Sequence, residues 1–169
     1  MPRYRANINI DAPAEEVWGA IGDFGNIYKR NPGVPKSNLT SQSEIGEGTT
    51  RHCDLTVPGA SIEERITDWQ EGSSYTVDIY QKKRVPFIRD LSATVSVEPN
   101  GAGSIGSFDF RYETAAGPIG KVMDRLVIGP RNHKVAELFV AGLKHHVETG
   151  EEVGKGVRVD RSKATVVRV

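Results

Sequence analysis

From residue 36 to residue 114 the chain keeps a two-residue period, and most of its runs are separated by short turn sequences. Successive side chains of a strand point to opposite faces. A sustained alternation therefore calls for strands with one buried and one wet face. The expected strands are 37–43, 49–57, 60–69, 74–82, 88–98 and 104–114, parted by Gly46-Glu47-Gly48, Pro58-Gly59, Glu71-Gly72-Ser73 and Asn100-Gly101-Ala102-Gly103. Links this short cannot cross over to a parallel neighbour, so the six strands form an antiparallel meander. Alternation assigns Cys53, Leu55 and Val57, then Ile62 and Ile66, then Tyr75, Val77 and Ile79, then Leu91, Ala93, Val95 and Val97, then Phe108, Phe110 and Tyr112 to the inner face. A seventh strand, 4-YRANINI-10, precedes them.

Helical periods flank the meander. In 11-DAPAEEVWGAIGDF-24, Pro13 stands where a helix can start without an amide donor, and Glu15 and Glu16 suit the positive end of its dipole. Val17, Trp18, Ile21 and Phe24 mark its buried face, and a second short helical turn in 26–34 breaks at Pro32-Gly33. After Gly117-Pro118 the helical pattern runs to about residue 148, a length of ~45 Å if unbroken. Ile119, Val122, Met123 and Leu126 form one stripe, and Val135, Leu138, Phe139, Leu143 and Val147 another, nearly opposite on a straight helix. Gly129-Pro130 lies between them, so two segments are expected, about 118–128 and 131–148, with a break at the proline. The class is α+β. The remainder, 150–169, reads either as a loose tail or, through 157-VRV-159 and 165-TVVRV-169, as an extra strand on a sheet edge of this chain or of a second copy.

Charge narrows the partners. Lys and Arg total 22 and Asp and Glu total 22, so no net field favours nucleic acid or an anionic membrane. No run approaches the ~20 apolar residues of a membrane span. The lone Cys53 allows no intrachain disulfide, and no basic-then-apolar leader opens the chain; the expectation is a cytoplasmic protein. His52, His133, His145 and His146 lack zinc spacing, no phosphate-binding or nucleophile motif is present, and no metal or cofactor is expected.

One residue breaks the inner face. In 59-GASIEERITDW-69, Glu64 falls between Ile62 and Ile66, where an unpaired carboxylate would be costly. Alternation puts Arg51 on the inner face of the neighbouring strand as its partner. Three roles follow: a structural ion pair, a polar contact for a ligand, or a general base. Tyr112 is the second acid–base candidate, since its phenol faces inward.

The order of elements, with 8-INIDAPAEEVWGAIGDFGNI-27, 31-NPGV-34, 48-GTTRHCDL-55, 63-EERITDW-69 and 143-LKHHVE-148, resembles the START-like or SRPBCC superfamily. This is the helix-grip fold of the birch-pollen allergen, plant abscisic-acid receptors and bacterial polyketide cyclase/dehydrase-like proteins. The resemblance covers roughly 5–150, and the domain is set at 1–149 with a tail at 150–169. It implies a curved seven-stranded sheet around the long C-terminal helix, and an apolar cavity holding a lipid, polyketide or aromatic molecule. On that reading Glu64, Arg51, Tyr75, Val77, Leu91, Phe108, Phe110 and Tyr112 line one wall. Trp18, Met123, Leu126, Phe139 and Leu143 line the other. Val57, Pro58, Gly59, Ala60 and Ser61 occupy the position of the receptors' gate loop, whereas 81-QKKRVPFIR-89 does not match their latch. Binding or carriage of a hydrophobic small molecule is the leading expectation. The alternatives are a cyclase/dehydratase-like enzyme and a protein-interaction module, with a homodimer through the tail among the partners.

Overall fold

A computed structural model describes residues 1–42, 44–115, 117–154 and 157–169. Its centre is an eight-stranded antiparallel sheet. The strands are β1 (Arg3–Ile10), β2 (Lys36–Leu39), β3 (Thr50–Asp54), β4 (Ser61–Gln70), β5 (Ser74–Lys83), β6 (Ile88–Asn100), β7 (Gly103–Thr114) and β8 (Thr165–Arg168), in the spatial order β2-β3-β4-β5-β6-β7-β1-β8. The alternation sets the burial: along β7, Ser104, Gly106, Phe108, Phe110 and Tyr112 are buried while their neighbours are not. The strand expected at 37–43 ends at Leu39; position 43 lies outside the described residues.

Helix α1 (Ala14–Gly22) is capped by Pro13, whose extended backbone leaves its carbonyl free to accept from the amides of Glu16 and Val17. It buries Val17, Trp18 and Ile21. A 3₁₀ stretch, Phe24–Lys29, follows and buries Phe24 and Ile27.

The C-terminal helical course departs from expectation. It runs without interruption through α2 (Gly117–Met123), a π-helical turn (Asp124–Ile128) and α3 (Gly129–Thr149). The break expected at Gly129-Pro130 is replaced by the π turn. The Gly129 amide donates to the Asp124 carbonyl five residues back, and Pro130 falls in the first turn of α3, where its missing donor is tolerated. The extra residue in that turn resets the phase between the two stripes. It also turns the first stripe outward. The buried positions are Gly120, Asp124 and Ile128, whereas Leu126, expected on the inner wall, is 68% exposed and Met123 is only half-buried. Gly120 makes this orientation reachable, because a Cβ there would fall on the Ala115 carbonyl oxygen.

The tail takes one of its two expected courses. Val153 is fully buried and its amide donates to the Lys29 carbonyl at 3.0 Å. β8 pairs antiparallel with β1, Tyr4 opposite Arg168, making the eighth strand of this chain's own sheet where seven were expected. The inner face of the sheet packs on α3 through stacked rings: Phe108 and Phe139 lie 4.1 Å apart between centroids at 13°.

Candidate binding face between sheet and helix

The inner face has an aromatic middle and two polar ends. Rings run across it from Tyr4 to Phe110 (5.5 Å), Phe110 to Phe108 (5.3 Å) and Phe108 to Phe139. Val77 and Leu143 fill the layer as buried aliphatics, and Leu91 is half-buried. Offset and edge contacts at these distances hold rings in fixed relative geometry.

The first polar end is built by register. Arg51 on β3 stands directly opposite Glu64 on β4. The pairing of β4 with β5 shifts at Glu63/Glu64 and again at Ile66/Asp68, and such bulges re-aim the side chains beside them. Arg51 Nε donates to Glu64 Oε2 at 2.5 Å, Arg51 Nη1 to the Phe24 carbonyl at 2.7 Å, and the guanidinium lies 3.9 Å over the Phe24 ring. Cys53 Sγ also reaches Glu64 Oε2 at 3.4 Å. Burial alone would lower the Arg51 pKa; the adjacent Glu64 carboxylate outweighs it and holds the guanidinium charged, well above its usual value. Burial, with Glu64 beside it, pushes the Cys53 thiol well up, so it is no nucleophile.

A second guanidinium, not foreseen from sequence, completes this end. Arg30 is 1% exposed and donates to Tyr75 Oη at 3.1 Å and to the carbonyls of Ile21 and Asp23. Its Nε has no partner among the described residues. Burial, and after Tyr75 the charge of Arg51, bear on its pKa, with the net direction downward. Tyr75 thereby stands between two buried cations, edge-on to Phe24 at 5.4 Å.

The second polar end is at the π turn. Tyr112 donates its phenol proton to Asp124 Oδ1, and Arg168 of β8 donates to Asp124 Oδ2. Burial, then the bond to Asp124, raises the Tyr112 pKa and keeps the phenol protonated. Asp124 and Arg168 were not singled out in the sequence. Asp124 had a visible signal: it is the one acid between residues 117 and 131 and interrupts an apolar stripe.

The loops at the edge are tied together. The turn at 57–59 closes with Gly59 at φ 73°, and Leu55 and Ala60 join its two sides. Ala60 is buried and Ser61 begins β4, so only Val57, Pro58 and Gly59 stand out from the surface. Arg84 Nη1 donates to the Pro58 carbonyl at 3.0 Å. The 81–89 segment thereby supplies an arginine contact to the turn at 57–59. Trp18 packs edge-on against Trp69 of β4, 5.1 Å away, which in turn stacks on Tyr75 at 5.9 Å, and both indoles donate to Glu71. That pair lines a surface cleft of about 400 Å³; another of about 410 Å³ lies between α1 and the end of α3. Among the described residues no three His, Cys, Asp or Glu gather as a metal site, and no helix is long and apolar enough to cross a membrane.

Comparison with known proteins gives a family and a fold. Residues 1–148 match the family described as polyketide cyclase / dehydrase and lipid transport. No protein of curated function matches the chain. Among solved structures, XoxI from Bacillus cereus superposes with a TM-score of 0.71 at 18% identity, covering 88% of this chain and 97% of that one. A protein from Thermus thermophilus gives 0.72 at 16% identity over 88% and 98%. A START superfamily protein from Mycobacterium smegmatis gives 0.67 at 15% identity over 88% and 98%. At these identities the likeness is one of fold, the helix grip with its long C-terminal helix.

Proposed function

Because the chain belongs to the polyketide cyclase/dehydrase and lipid transport family, we propose that it binds and carries an amphipathic small molecule, with an acidic head, between the sheet and α3. Family and fold support hydrophobic-ligand binding in general. The finer reading rests on one observation: at the polar end of an aromatic-lined face, buried Arg51 is paired with buried Glu64, while a second buried guanidinium, Arg30, donates to neutral acceptors, the Tyr75 hydroxyl and the Ile21 and Asp23 carbonyls. An uncompensated buried charge is costly, and a ligand carboxylate is its simplest complement. The rings of Phe108, Phe110 and Phe139 suit the tail of such a ligand.

Catalysis by the same groups has less support. The charge of Glu64 is already taken by Arg51, and its Oε2 also accepts from Cys53. A general base needs a lone pair aimed at substrate. Tyr112 is held protonated and its proton is already donated to Asp124.

The loop at 57–59 is the proposed gate, with Arg84 as its tie. Stopped-flow uptake of a fluorescent long-chain fatty acid tests this. Arg84→Ala is expected to raise uptake and release rates together by about fivefold, about 1 kcal/mol for one hydrogen bond from a charged group at the surface, with affinity little changed. Unchanged rates would remove the gate; no saturable uptake in either protein would remove the carriage reading itself.

A further inference from the structure

The first part of the C-terminal helical course, α2 and the π turn, exposes its apolar stripe. Across α2 and the π turn the buried positions are a glycine, an aspartate and an isoleucine, Gly120, Asp124 and Ile128. The exposed ones include Ile119 at 69%, Val122 at 58%, Leu126 at 68% and Val127 at 53%. Ile119, Val122 and Leu126 fall at helical spacing and make a continuous ridge. Single exposed aliphatics are ordinary, but a ridge of them on a helix whose inner face holds Asp124 marks a surface with a second solvent.

A second exposed apolar group lies near the start of the same helix. The β5–β6 link reaches the base of α2, where the Ala115 amide donates to the Phe87 carbonyl at 2.9 Å. Phe87 is 45% exposed and sits at φ 66°, with Arg84 at φ 54°, a left-handed backbone that costs a side-chain-bearing residue energy. The loop therefore holds an aromatic ring at the surface beside the helix.

Charge identifies the occupant. Spans 83–89 and 117–131 carry the exposed bases Lys83, Arg84, Arg89, Lys121, Arg125 and Arg131. The one acid within those spans is Asp124, buried and occupied by Tyr112 and Arg168. The molecule as a whole is neutral, so this concentration of positive charge is local. A second copy seated on the same face would set these cations against their own images, which disfavours a two-fold interface. Aliphatic and aromatic tips fringed by lysine and arginine fit the interface of an anionic bilayer, where tips enter the acyl boundary and cations meet the headgroups.

We infer that α2, the π turn and the 83–89 loop form a peripheral docking surface for anionic membranes. The inference does not rest on the ligand proposed between sheet and helix, and its test uses no internal ligand. Co-sedimentation is measured with vesicles of phosphatidylcholine alone and of phosphatidylcholine mixed with phosphatidylglycerol. The protein is expected to bind the mixed vesicles, to leave the neutral ones in solution, and to be released by added salt. Ile119→Asp with Leu126→Asp, and separately Lys121→Glu with Arg125→Glu, are each expected to weaken binding to mixed vesicles by at least about tenfold. All four side chains are exposed, so both variants should melt with the wild type, which separates lost docking from lost folding. Failure of the wild type to bind mixed vesicles would overturn the inference, as would variants that bind like it. A solution dimer dissociated by Leu126→Asp would overturn it too, by assigning the ridge to a second copy.

Discussion

Arg51→Met is expected to destabilise the protein by about 3–5 kcal/mol, the cost of leaving a buried carboxylate without its cation. Glu64 is 6% exposed and Arg51 1%, so neither charge can turn to water. Arg51 also holds the Phe24 carbonyl at 2.7 Å and covers the Phe24 ring, so its loss loosens the junction between the 3₁₀ stretch and the sheet as well. For a chain of this length the melting temperature should fall on the order of 10 °C. Pairing Arg51→Met with Glu64→Leu should recover much of the loss, since apolar replacement of a whole buried pair is often neutral. Urea unfolding of the two single variants and the double gives the coupling directly. A double variant no better than Arg51→Met alone would place the damage in the Phe24 contacts and not in the unpaired carboxylate.

Phe139→Ala is expected to cost about 3–5 kcal/mol, the range for emptying a buried phenylalanine site. Phe139 is the ring of α3 stacked on Phe108 of β7, and it is 4% exposed. Its removal opens space where the proposed tail would lie. The same substitution should therefore shift preference toward bulkier tails, read by competition among fatty acids against one fluorescent probe. A variant destabilised by less than about 1 kcal/mol would mean that this part of the interior is already loosely filled.

The sheet was legible in the sequence because its signal is local. Alternation from residue 36 to residue 114 depends on nearest neighbours and turn residues, and the pairing Arg51–Glu64 follows once the hairpin at 55–60 is placed. The β-bulges beside Glu64 were not legible, since an extra residue on one strand leaves the alternation on either side intact. The two apolar stripes of the C-terminal helix were also visible, and so was the need for a phase reset between them. What could not be read was how the chain makes that reset. A proline inside a helical pattern ordinarily signals a break, and only the burial of Asp124 against Tyr112 and Arg168 shows why a π turn replaces it. Those partners come from β7 and β8, 12 and 44 residues away in sequence. Arg30 was missed for the same reason: its partners, Ile21, Asp23 and Tyr75, lie up to 45 residues away in sequence and meet only in the folded chain. An arginine beside a turn carries no sign that it will be buried.

Photo-crosslinking tests most directly whether a hydrophobic ligand lies inside, between the sheet and α3. The probe is a long-chain fatty acid with a diazirine in its tail, and the labelled peptides are mapped. Saturable label is predicted in 75–79, 108–112 and 136–143, displaced by unlabelled fatty acid and weakened when Arg30 or Arg51 is replaced. Label confined to the exposed ridge at 119–127 or to the cleft beside Trp18, or label that does not saturate, would contradict an internal site.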